Sequence, residues 1–159
     1  MLQKLNIKKV LLRLPTLNIN VNDIVRSVLD SSKYRALVVN LVQERLYNKG
    51  TYANDNEIVT YKAKSPDVYS RYTMALKQEK NQPTNRVTLK DGGEFYNTFA
   101  LKTETESFSI SYDENKPDGK ISDNISDLPV AISLSDSDLN VLRDDIKVDI
   151  IKKMREKII

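Results

Sequence analysis

The chain has 159 residues, 40% hydrophobic and 30% charged, enough for one globular, polar, soluble domain with a real core. Its net charge of +3 is too small to imply nucleic-acid binding by itself, but it is uneven: residues 1–64 hold 11 Lys or Arg against 5 Asp or Glu, whereas residues 96–159 hold 9 against 13. The absence of cysteine and histidine excludes disulfides, Cys/His zinc sites, histidine acid–base chemistry and a Ser-His-Asp triad.

No apolar run reaches the roughly 18–20 residues of a membrane span. The apolar start "MLQKLNIKKVLLRLP" is not followed by a small-residue cleavage site, so it does not read as a secretion signal. A cytoplasmic site of synthesis and use is expected. Residues 1–21 form a basic, apolar arm or an edge strand. Within it Leu17, Ile19 and Val21 alternate with Asn, the pattern of an extended segment lying on a neighbour or in the domain's own sheet. The remainder, 22–159, reads as a single α+β domain.

A helix is predicted after Asn22 or Asp23, with Ile24, Val25, Val28 and Leu29 on one face. "DSS" at 30–32 either breaks it or caps a second helix. There Tyr34, Leu37, Val38, Leu41, Val42, Arg45 and Leu46 recur at three- and four-residue steps, up to Gly50 as a C-terminal stop. Residues 51–67 read as a loop with an extended piece at "EIVTYKA". A short helix follows in "DVYSRYTMALKQEK", with Tyr69, Tyr72 and Leu76 expected on one side, and Pro83 ends it.

"KDGGEFYNTF" combines a turn with aromatics. It lacks the Gly-x-x-x-x-Gly-Lys spacing of a phosphate loop and is expected to lead directly into a strand. In "FALKTETESFSISY", Phe99, Leu101 and Thr103 and then Phe108, Ile110 and Tyr112 alternate with polar residues. This predicts two half-buried antiparallel strands with a tight turn near Thr105–Ser107. "DENKPDGK" is a polar loop and "PVAISLS" reads as another extended piece. Ser135 and Asp138 form a capping box for a long last helix, whose stripe of Leu139, Leu142, Ile146, Ile150, Met154 and Ile158 reads as core or subunit interface. The fold class is α+β: a small antiparallel sheet packed against amphipathic helices, the longest of them C-terminal.

Carboxylate chemistry needs two acids converging in a cleft. Asp91 with Glu94 and Asp144 with Asp145 are adjacent acids in turn and helix positions, and nothing in the pattern suggests a buried pair. Asp113, Glu114 and Asp118 lack the ligand spacing of an EF-hand. No catalytic, cofactor or metal residues are expected.

Three phrases carry a resemblance. They comprise Gln43, Leu46, Tyr47, Lys49 and Gly50; then Tyr69, Ser70, Tyr72 and Thr73; then Gln82, Pro83, Thr84, Arg86, Val87, Thr88, Gly93, Phe95, Thr98 and Phe99. In this order they resemble the tail-completion or head–tail joining family of tailed-phage virion proteins, often labelled minor tail or virion morphogenesis proteins. The closing "SLSDSDLNVLRDDI" phrase resembles versions from phages of gut Bacteroidetes, including the crAss-like group. The resemblance covers roughly residues 38–159. One departure is Gly92, where the family usually has Thr; a second glycine loosens the turn.

The resemblance implies a non-enzymatic structural protein without cofactors. Copies would form a homo-oligomeric ring in the neck or tail, between portal and tail proteins, with genomic DNA passing through unread and no membrane involved. It further implies that Gly93 turns the chain, that Phe95 and Phe99 anchor the hairpin, and that Tyr96 faces a neighbour. The charge asymmetry suggests a head-to-tail seam, with Arg26 and Lys33 of one copy meeting Asp144 and Asp145 of the next. The alternative is a small cytoplasmic nucleic-acid-binding module, with Lys4, Lys8, Lys9, Arg13, Arg26, Lys33 and Arg35 forming one groove.

Overall fold

A computed structural model describes residues 5–6, 20–62, 68–117 and 119–157. The first element is a two-residue strand, β1 (Leu5–Asn6), and three helices dominate the rest. Helix α1 (Val21–Leu29) starts after Asn20, two residues before the predicted cap. Its first bonds run from the Asp23 and Ile24 amides to the Asn20 carbonyl. Ile24, Val25, Val28 and Leu29 are buried as their spacing requires. "DSS" performs both expected roles: Asp30 closes α1, and Ser31 opens α2 (Ser32–Asn48).

α2 buries Tyr34, Val38, Val42, Arg45 and Leu46. The last helix, α6 (Asp136–Glu156), packs against α1 and α2 through Leu139, Leu142, Ile146, Ile150 and Met154. Each fully buried aliphatic side chain is worth about 1.5–3 kcal/mol against exposure, so this three-helix contact contributes a large share of the stability. The capping box of α6 forms as predicted. Ser135 Oγ accepts from the Asp138 amide at 3.2 Å, and Asp138 accepts from the Ser135 amide at 2.9 Å. Ile158 lies outside the described residues.

Strands β2 (Ala100–Thr103) and β3 (Ser107–Ser111) form the predicted hairpin, in the register Leu101↔Ile110 and Thr103↔Phe108. The turn is closed by the Glu104 amide donating to the Ser107 carbonyl at 2.7 Å. Leu101, Phe108 and Ile110 share the inward face and are buried. β3 is central: β1 pairs with its other edge, Leu5 opposite Phe108, giving the order β1-β3-β2. The N-terminal segment therefore supplies an edge strand of the domain's own sheet. A second, two-stranded ladder joins β4 (Asn115–Lys116) to β5 (Gly119–Lys120) within the expected polar loop.

Three regions differ from expectation. In "DVYSRYTMALKQEK" the helix, α3 (Arg71–Glu79), begins after Ser70, whose side chain caps the Thr73 amide. Tyr69 therefore precedes the helix and is buried, Tyr72 and Leu76 point outward, and Lys77 points inward. The glycine turn leads into a one-turn helix, α4 (Glu94–Asn97), before the strand begins. The predicted extended piece "PVAISLS" contains a helix, α5 (Leu128–Ile132). Asp127 caps it at the Val130 amide, and Pro129 sits in the first turn, where its missing N–H costs nothing. Burial of Leu128, Ala131 and Ile132 at three- and four-residue steps overrides the strand preference of Val and Ile.

Among the described residues, no helix is long and apolar enough to cross a membrane.

Candidate functional site

Residues from each of the three resembling phrases, far apart in sequence, meet around the segment 86–90. At the end of α2, Gly50 has φ +67°, and a Cβ there would lie 2.8 Å from Arg86 Cβ and 3.0 Å from the Val87 carbonyl. Glycine is required both for the turn and for the chain passing over it. Arg86 donates to the Tyr47 carbonyl at 2.8 Å, and Gln43 donates to the Tyr96 carbonyl at 2.9 Å. The first phrase is thereby tied to the third.

Thr88 is the hub. Its amide donates to the Tyr69 hydroxyl at 2.8 Å, tying in the second phrase, and its carbonyl accepts from the Tyr96 hydroxyl. Its own hydroxyl accepts from Lys77 Nζ at 3.1 Å. The next residue, Leu89, has φ +53°, a left-handed conformation that costs a non-glycine residue on the order of 1 kcal/mol or more. The bonds made by Thr88, together with that from Lys77 to the Lys90 carbonyl at 2.8 Å, hold the strained link in place.

Lys77 is the unexpected member. Its ammonium is buried, contacts the oxygens of Gln82, Thr88 and Lys90, and sits 5.0 Å from the centre of the Tyr69 ring. Burial lowers its pKa, with Asp91 opposing that shift and Lys80 adding to it. Burial also pushes the Tyr69 and Tyr96 hydroxyls upward. These groups satisfy one another, so the cluster is a scaffold.

The glycine turn completes the unit. Gly93, at φ +109°, caps α4, whereas Gly92 has no left-handed requirement. A Cβ at Gly92 would meet only the flexible carboxylate of Glu94. Phe95 and Phe99 meet edge to face at 4.9 Å, and Tyr96 stacks on Phe99 at 5.5 Å. Phe99 is buried, and Phe95 packs against the core's margin. Thr98 donates to the Phe95 carbonyl at 2.7 Å and accepts from the Asp113 amide at 3.0 Å, fixing the entrance to β2. Tyr96, expected to face a neighbour, is turned inward and only 6% exposed, because its hydroxyl is the partner of the Thr88 carbonyl.

The charges expected to form a seam between copies are largely paired within one copy. Lys33, at the start of α2, lies 2.9 Å from Asp145 and 3.1 Å from Asp149 on α6. The Tyr34 hydroxyl joins them at 2.7 Å from Asp149. Hydrogen bonds from Tyr34, Asp145 and Asp149 raise the Lys33 pKa. The Asp145 carboxyl is lowered chiefly by Lys33, and that of Asp149 by Tyr34 and then Lys33. Burial pushes the Tyr34 hydroxyl up to about 12. The Lys33–Asp145 pairing expected between neighbours is therefore made within one chain, because α2 and α6 pack side by side.

Arg26 pairs with Asp23 at 3.4 Å and Arg35 with Asp30 at 2.9 Å. Each described member of the proposed nucleic-acid groove thus has an acid beside it. Lys4, Lys8, Lys9 and Arg13 lie outside the described residues, as do Leu17 and Ile19. Val21 opens α1, half-buried against the core. Asp144 is exposed.

A buried ion pair, unforeseen in the sequence, sits at the start of α6. Arg45 donates to Asp138 at 3.0 Å and to the carbonyls of Ala131 at 3.0 Å, Ser133 and Thr51. The available signal was a lone arginine on the apolar face of α2, because a buried guanidinium needs a carboxylate and several carbonyls.

Among the described residues, the large apolar side chains that remain exposed are Val59, Tyr61, Tyr72, Leu76, Val141 and Val148. Val59 and Tyr61 follow the 51–57 turn, Tyr72 and Leu76 lie on α3, and Val141 and Val148 lie on the outer face of α6. Among the described residues, no group of three or more His, Cys, Asp or Glu is placed to hold a metal ion. The chain matches no known protein-family model, and neither a curated protein nor a solved structure matches it.

Proposed function

We propose that the protein is a non-enzymatic structural component of a tailed-phage particle. It forms one subunit of a ring in the neck or tail that joins the portal side of the head to the tail, with DNA passing through the channel unread. The observation that carries this reading is that residues of the three resembling phrases meet around the segment from Arg86 to Tyr96. Gln43, Tyr47 and Gly50, then Tyr69, then Arg86 to Phe99, form one packed unit whose polar groups bond to one another. A motif whose polar groups bond to one another specifies architecture, which suits a protein whose work is assembly. The pairing of Arg26, Lys33 and Arg35 with acids of the same chain gives the nucleic-acid alternative less support.

Quantitative mass spectrometry of purified particles tests the reading. The chain is expected in the particle at several copies, in fixed ratio to the portal and tail proteins. Its absence from particles assembled in infected cells would overturn the proposal.

A further inference from the structure

The glycine turn carries a reactive pair that the Thr88 hub does not use. The chain has two Asp–Gly pairs, Asp91–Gly92 and Asp118–Gly119, and Asp118 lies outside the described residues. In such a pair the next backbone nitrogen can close a five-membered ring on the side-chain carboxyl, and glycine has no side chain to screen that nitrogen. The reaction is slow where the carboxyl is buried or the amide is hydrogen-bonded. Neither condition holds here. The Asp91 side chain is 78% exposed and Gly92 is exposed. Among the described residues the Gly92 amide donates to no acceptor. The fold does not need a glycine at this position either, because Gly93 makes the left-handed turn and Gly92 does not.

We propose that Asp91–Gly92 is a site of self-modification, at which the main chain relinks through the Asp91 side chain. The carboxylate takes a proton from solvent. The Gly92 nitrogen attacks Cγ, the new C–N bond closes a succinimide, and the hydroxyl of the carboxyl leaves with the amide hydrogen as water. A second water opens the ring. Opening at the former main-chain carbonyl leaves Gly92 joined to Cγ and a free α-carboxyl, which returns the proton. The product is an isoaspartate, with one more methylene in the backbone. One water is released and one consumed, so no oxidant or cofactor is needed.

Two features tie the pair to the hub. Lys80 bonds to one Asp91 oxygen, and that ion pair must open before the carboxyl reacts. Exposed pairs are weak, so Lys80 delays the step only a few-fold. Asp91 also lies between fixed points. Lys77 holds the Lys90 carbonyl at 2.8 Å, Gln82 donates to the Asp91 carbonyl at 2.6 Å, and Gly93 caps α4, from which Tyr96 reaches the Thr88 carbonyl. Relinking replaces the carbonyl that Gln82 holds and lengthens the chain between these anchors, which loosens the entrance to β2. The site is independent of the particle reading.

The test ages full-length protein at neutral pH and physiological temperature. Peptide mapping with electron-transfer fragmentation reads isoaspartate at position 91, and circular dichroism checks folding. Wild type is expected to accumulate isoaspartate, with a succinimide species lighter by one water. Gly92→Ala, whose methyl meets only the movable Glu94 carboxylate, should slow the reaction many-fold. Asp91→Glu, which keeps the charge but not the ring size, should abolish it. Lys80→Gln should speed it a few-fold. Aged, converted wild type should melt below fresh protein, whereas Gly92→Ala aged in parallel should not. Folded wild type that forms no isoaspartate at 91 overturns the proposal; formation in urea alone would show that the fold protects the pair. An unchanged rate in Lys80→Gln overturns the role of the lysine, and unchanged melting after conversion overturns the coupling to the hub.

Discussion

Helix α6 takes part in two ion-pair systems that use the same chemistry in opposite surroundings. At its first turn, Asp138 meets Arg45, and the two side chains are 10% and 2% exposed. Two turns on, Asp145 and Asp149 meet Lys33, whose side chain is 56% exposed. Water screens the second system, so little stability depends on it. The first is removed from water and pairs with the capping box and three carbonyls from two other segments. Its worth lies less in net attraction than in the penalty of leaving either partner alone. Ion pairs that look alike in a sequence thus divide into one that orders α5 and the residue-51 turn against α6, and one that decorates the surface.

The largest expected effect breaks the buried system. Arg45→Ala leaves the Asp138 carboxylate buried with only its capping bond and should cost about 3–5 kcal/mol, read from urea unfolding. A loss under about 1 kcal/mol would erase the distinction between the two systems.

An intermediate effect is expected at Lys77, buried like Arg45 but bonded only to neutral oxygens. Lys77→Met keeps an unbranched side chain but strands three acceptors, and should cost about 1–3 kcal/mol. Its pH dependence sharpens the comparison. The folded state lowers the Lys77 pKa below 10.5, chiefly through burial, so at neutral pH folding holds the charged amine less favourably than it would the neutral amine. Its contribution to stability rises as pH climbs through the folded pKa toward 10.5. Lys77→Met should lose that alkaline component, and a pH series of urea midpoints on both proteins measures it.

The smallest effect is expected for Lys33→Met. Its carboxylate partners have folded pKa values lowered from 3.8, so their contribution is present above pH 3.8 and is lost as pH falls through the lowered values. Wild type and variant should differ slightly in melting temperature at pH 7 and low salt. They should converge in high salt and again well below pH 3.8. A large, salt-independent difference would place this cluster with the buried one.

Part of the candidate site was legible because it is local. Gly50 as a helix stop and the alternation from Phe99 into the hairpin follow from backbone freedom and periodicity within a few residues, whereas Gly93 as the turn and Phe99 as an anchor were what the resemblance implied. The face of α3 was not, because Tyr72 and Leu76 offer the same apolar spacing whether they point in or out. Only Tyr69 reaching Thr88 and Lys77 reaching Gln82 and Lys90 turn the other side of that helix inward. Tyr96 was misplaced for the same reason: its partner, the Thr88 carbonyl, lies across a turn.

By itself, the sequence determined what depends on neighbours along the chain: the α+β class, the apolar faces of α1, α2 and α6, the capping box of Ser135 and Asp138, and the hairpin. Caps and periodicity act over three or four residues, so they are written where they act. Tertiary structure alone decided that α5 is a helix, that β1 completes the sheet, that Arg45 finds Asp138 93 residues away, and that Lys33 pairs within its own chain. Those outcomes depend on which surfaces packing excludes from water. Burial converts an arginine, a lysine and three tyrosines from ordinary polar residues into obligatory partners.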